Sequence, residues 1–120
     1  MRIYFKTNKL KQQCSEERTM LKAFGKKMSL KLQQRLMELS AAETLADMSH
    51  LPPTRCHQLD NTGGVFSVDL EQPYRLLFVP EEEPTPRKKD GGIDLQKVAG
   101  IEIIAIEDTH DPKNQRRSRL

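Results

Sequence analysis

The chain has 120 residues, with 20 Lys+Arg against 17 Asp+Glu and a formal net charge of +3. This length fits one domain, and grouped apolar residues amounting to 36% of the chain argue against a wholly disordered one. No apolar run nears the ~18 residues of a membrane span. The opening segment lacks a signal-peptide core, and a cytoplasmic protein without membrane contact is expected. The charge is segregated: +7 over residues 1–39 (10 basic, 3 acidic), −7 over 40–110 (6 basic, 13 acidic) and +3 over 111–120 (4 basic, 1 acidic).

Residues 2–6 have the β-branched and aromatic content of a short strand. From Thr7 to about Leu39 the pattern is helical. Ser15, ahead of Glu16 and Glu17, is expected to cap a helix burying Met20, Leu21 and Phe24. Gly25 marks a stop or kink. At 100° per residue Met28, Leu32, Leu36 and Leu39 share one sector, with Lys27, Lys31 and Arg35 along its flank. Leu30 and Met37 form a second apolar stripe, which predicts contact with both a partner helix and a sheet. Ser40–Glu43 reads as a capping box restarting a short helix near 41–48, ended by Pro52 and Pro53.

The period then changes to two. Residues 55–59, 65–70 and 74–79 predict a three-strand antiparallel meander, with Asp60–Gly64 and Glu71–Pro73 as turns. Phe66, Val68 and Leu70 share one face, and Tyr74, Leu76 and Phe78 form the core set of the next strand. Residues 80–98, rich in Pro, Gly and charge, read as a long mobile loop. Ala99–Ile106 is a last, central strand. The order predicts an α+β fold: a small antiparallel-rich sheet with an N-terminal helical pair on one face. Residues 1–110 are expected to form the domain and 111–120 a basic, flexible tail.

Arg75 interrupts an apolar strand on the face opposite Leu76 and Phe78. It serves either an ion pair with Glu71 or Asp69, or as a fixed cation for a phosphate. His57 and His110 are, singly, ordinary strand and tail residues, and His50 is a loop residue. Should their strands share a sheet, Arg75, His57 and His110 converge. Two imidazoles and a guanidinium suffice for metal-free RNA cleavage. The stripe Lys27, Lys31 and Arg35, with Arg55, is the candidate nucleic-acid surface, against the plainer reading of a solvated helix face. No P-loop, dinucleotide fingerprint or HExxH occurs, and Cys14 and Cys56 lack metal-ligand spacing. They are expected as free, mostly buried thiols, with no cofactor or metal in the protein.

In order, Phe5–Leu10, Leu32–Leu36, Arg55–Leu59, Phe66–Leu70, Tyr74–Phe78 and Glu102 to His110 carry a resemblance over about nine-tenths of the chain. The chain resembles the HigB-like toxins of bacterial type II toxin–antitoxin modules, within the RelE/ParE superfamily. The resemblance implies a microbial-ribonuclease-like α+β fold and metal-free cleavage of mRNA on the ribosome by 2′-OH attack. It also implies a cognate helix-turn-helix antitoxin, through which alone operator DNA is engaged. Arg75 matches the family's strand arginine and His110 its C-terminal histidine, while His57 lies where such toxins often place another. Thr109 stands where the family commonly has Tyr, and Asn61–Gly64 replaces a basic loop. These two differences favour an alternative: a non-nucleolytic member that acts by binding a protein, such as gyrase or only its antitoxin.

Overall fold

The computed structural model describes residues 1–108. One five-stranded sheet organises the chain, built from β1 (Arg2–Phe5), β2 (His57–Gln58), β3 (Phe66–Asp69), β4 (Tyr74–Pro80) and β5 (Gly100–Asp108), in the order β1-β5-β4-β3-β2. β1 runs parallel to β5, and the other neighbours are antiparallel. A parallel pair needs a long crossover, and the helices α1 (Asn8–Ser15) and α2 (Glu17–Ala41) lie within that connection. This is an α+β fold with the helical pair packed on one face of the sheet, as expected.

Alternation decides which face is covered. Phe66, Val68, Leu76, Phe78, Ile101 and Ile103 share a core with Met20, Met28, Leu32 and Leu39 of α2. Phe66 and Phe78 are register partners and stack with ring centroids 5.9 Å apart. β5 is nearly continuous in apolar residues, and a bulge sorts them. Leu77 faces Ala105 while the next residue, Phe78, faces Ile103, so Ile104 is the extra residue. That keeps both Ile103 and Ile106 on the helix side.

Several expectations are corrected. Ser15 does not cap α2, whose N-cap is Glu16 with no side-chain cap bond; the side-chain cap belongs to α1, where Thr7 Oγ1 accepts from the Leu10 N–H at 3.1 Å. Ser15 is instead the last residue of α1. Gly25 does interrupt α2, at φ 78° and ψ 173°, a conformation open to glycine. The box at Ser40–Glu43 is displaced by four residues. Asp47 accepts from the N–H groups of Glu43 and Thr44, at the start of a 3-10 turn over Leu45–His50. Leu30 (59% exposed) and Met37 (71%) face solvent, because the sheet meets only the Met28–Leu32–Leu39 stripe. Tyr74 is exposed too, at the first position of its strand.

β2 is only two residues long, since Arg55 ends a 3-10 turn in the left-handed region (φ 47°) just before it. The 80–98 segment is not a free loop. Arg87 bridges to Ile93, the Lys88 N–H donates to the Gly92 carbonyl at 2.8 Å, and Ile93 and Val98 are buried in the core.

Arg35 is the largest correction. It is 3% exposed, and its guanidinium donates from Nε to the Asp69 carbonyl (2.7 Å), from Nη1 to Glu38 Oε1 (2.9 Å) and from Nη2 to the Pro53 carbonyl (3.1 Å). A buried guanidinium needs such partners, and here they tie α2 to β3 and to the turn at Pro52–Thr54. With its donors spent inside, Arg35 cannot belong to a nucleic-acid surface. Arg35→Ala is expected to lose about 2–4 kcal/mol of stability in urea denaturation. Lys31→Ala, on the same helix flank, should stay within about 0.5 kcal/mol. Equal effects of the two would contradict the buried role.

Candidate functional site

The site is built from the residues that alternation turns away from the helices. The cross-strand register places Asp69 opposite Arg75 and Arg75 opposite Glu107. One step along, His57, Ser67, Leu77 and Ala105 form the adjoining row. Polar side chains from β2, β3 and β4 therefore gather on the face of the sheet opposite α2.

Arg75 is the centre of this group and is itself 9% exposed. Its Nη1 donates to Ser67 Oγ at 2.9 Å and stands 3.4 Å from His57 Nε2. Its Nη2 is 3.5 Å from Asp69 Oδ1. Asp69 Oδ2 in turn is 3.5 Å from Arg55 Nη1 and accepts from Gln72 Nε2 at 3.3 Å. The two ion-pair distances exceed the ~2.7–2.9 Å of a charge-assisted hydrogen bond, and the buried Oδ1 accepts no hydrogen bond among the described residues.

His57 has an exposed ring, with Nδ1 2.9 Å from the Arg55 carbonyl. A carbonyl only accepts and a guanidinium only donates, so these partners assign the tautomer with the proton on Nδ1. Nε2 then carries a lone pair directed at Arg75. This arrangement offers a guanidinium for an anion and an imidazole nitrogen able to take a proton.

The structure thus brings together three of the residues singled out from sequence, namely Arg75, His57 and Arg55. Of the alternatives for Arg75, its carboxylate partner is Asp69 and not Glu71. Glu71 instead pairs with the exposed Lys27 at 3.5 Å. Lys27 and the half-buried Lys31 are not bonded to the Arg75 group, and Arg35 is buried as described. His110, Thr109 and the 111–120 tail lie outside the described residues. Ser67 was missed. Its signal is its phase: a polar residue at the off-core position of a strand that otherwise alternates cleanly.

Cys56 neighbours the site and Cys14 lies in the core; neither is in a disulfide. Burial pushes both thiols up from 9.0 to about 11. Among the described residues no cluster of His, Cys, Asp and Glu has the makings of a metal site, and no helix is long and apolar enough to cross a membrane. Comparison with protein-family models, curated proteins and solved structures returns no match.

The thiols supply a test of this packing. Unfolding releases their protons at the ordinary 9.0, so the native state is expected to lose stability as pH rises from 9.0 towards about 11. At pH 8 an aromatic disulfide reagent should react at least about tenfold more slowly with native than with urea-unfolded protein. Equal rates would contradict buried thiols.

Proposed function

We propose that the protein is a ribosome-dependent mRNA endoribonuclease, the toxin of a type II toxin–antitoxin module, working in the cytoplasm and held inactive by a helix-turn-helix antitoxin. The resemblance to HigB-like toxins of the RelE/ParE superfamily motivates this reading. One observation supports it most: on the face opposite α2, Arg75 Nη1 lies between Ser67 Oγ at 2.9 Å and His57 Nε2 at 3.4 Å.

In the proposed reaction an imidazole removes the proton of a ribose 2′-OH. The 2′-oxygen attacks the adjacent phosphorus, and the bond from phosphorus to the 5′-oxygen breaks. That oxygen takes a proton from a general acid, leaving a 2′,3′-cyclic phosphate and a 5′-OH. Arg75 stabilises the charge that builds on the phosphorane oxygens. His57 is suited to the base role by the Nε2 lone pair that its Nδ1–H tautomer leaves beside Arg75, and His110 is assigned the acid role by the resemblance. No metal or cofactor takes part in this scheme.

A second reading has its own supporting observation. Arg75 is already engaged by Asp69 and Ser67 and is nine-tenths buried. This suits a non-nucleolytic member that blocks a protein target such as gyrase or binds only its antitoxin. Growth arrest with intact mRNA and inhibited DNA supercoiling would select that reading.

Induced expression without the antitoxin should arrest growth and create new 5′ ends within translated mRNA. Arg75→Ala is expected to reduce cutting by about 10²–10³-fold, and His57→Ala by about 10²-fold or more. Circular dichroism should show both variants folded. Full cutting by both would remove the mechanism.

A further inference from the structure

The buried Asp69 carboxylate is held unlike the buried Arg35 guanidinium. Arg35 spends its donors in bonds of 2.7, 2.9 and 3.1 Å. Asp69 stands 3.5 Å from Arg75 Nη2 and 3.5 Å from Arg55 Nη1. Its side chain is 8% exposed, yet Oδ1 accepts no hydrogen bond among the described residues. An ionised carboxylate buried with so few close donors is poorly compensated. Its backbone is nevertheless fixed, because the Asp69 carbonyl takes the 2.7 Å bond from Arg35. Its side chain is held more loosely, by the two arginines and by the Gln72 amide, which donates to Oδ2 at 3.3 Å.

The geometry points to a two-arginine anion seat, formed by Arg55 and Arg75, in which Asp69 is the resident occupant that a phosphate group displaces. Both cations face the same carboxylate from different elements. Arg75 comes from β4, and Arg55 from the left-handed residue that ends the Pro52–Thr54 turn. A phosphate has oxygens enough to meet both guanidinium forks at closer range than one carboxylate does here. The Arg55 side chain is 62% exposed, so the seat can be reached from solvent. Glu107 stands across from Arg75 on β5. Asp69 therefore acts as a positioning residue. It holds the guanidinium groups apart and in place in the free protein, and it lowers affinity for stray anions. The seat shares Arg75 with the proposed nuclease site, and the identification of RNA as the source of the phosphate rests on that reading.

The test is titration of the full chain with inorganic phosphate at constant ionic strength, read by backbone amide shifts in heteronuclear NMR. Asp69→Asn keeps the side-chain volume and removes the charge. It should bind phosphate about tenfold more tightly than the unaltered protein. The gain should vanish when Arg75→Ala is added. Affinity no higher in Asp69→Asn, or a gain that survives Arg75→Ala, overturns the seat. Should Asp69→Asn fail to fold, Arg55→Gln gives the same decision from an exposed position. It should weaken phosphate binding by about fivefold, and an unchanged affinity overturns the proposal. Tighter phosphate binding without any RNA cleavage leaves the seat standing and removes the nuclease reading. Cleavage with unchanged phosphate affinity does the reverse.

Discussion

Asp69 is the residue on which both halves of the structure meet. Its carbonyl receives the buried Arg35 guanidinium, and its carboxylate faces Arg75 and Arg55. One peptide unit therefore connects the helical layer to the polar face of the sheet. The connection is strong on the first side, where three short bonds leave Arg35 nowhere else to go. On the second side it is loose, with ion pairs of 3.5 Å and an oxygen that accepts no hydrogen bond among the described residues. A rigid scaffold carrying a poorly compensated charge is what an exchangeable binding site requires.

The rest of the fold serves to hold that arrangement. β3 and β4 alternate so that Phe66, Val68, Leu76 and Phe78 meet the helices while Ser67, Asp69 and Arg75 meet each other. The bulge at Ile104 lets β5 keep Ile103 and Ile106 in the helix-facing layer without misplacing Glu107. β2 is too short to contribute to the core, but its two residues set His57 against Ser67 and so beside Arg75. A minimal edge strand is enough because it carries one ring and no large share of packing.

Much of this was legible in the sequence, and the reasons differ by element. The two-residue period of 65–70 and 74–79 encodes sheet faces directly, so Arg75 was identifiable as off-core. Gly25 was identifiable as a break because few other residues tolerate its φ of 78°. Arg35 was misread for a physical reason. Spacing places it with Lys27 and Lys31, and its burial depends on the Asp69 and Pro53 carbonyls, 34 and 18 residues away. Leu30 and Met37 have the period of a buried stripe, but among the described residues no partner layer reaches them. The 80–98 segment has loop composition, yet one bridge and the burial of Ile93 and Val98 fold it back onto the core. Ser67 was visible only once its strand neighbours were known to be buried. Segregated charge proved a partial guide: of the basic groups singled out, Arg55 joins the Arg75 group, whereas Lys27 pairs with Glu71.

In the proposed function this face cleaves RNA by attack of a neighbouring 2′-OH at a phosphate held by Arg75. The chemistry of the new RNA ends reports on it most directly. Purified protein incubated with ribosomes programmed with a defined mRNA should generate fragments ending in 2′,3′-cyclic phosphate or 3′-phosphate, with 5′-OH partners, in the presence of chelator. Intact mRNA under those conditions, or fragments bearing 5′-phosphate ends, would rule out 2′-OH attack at this face.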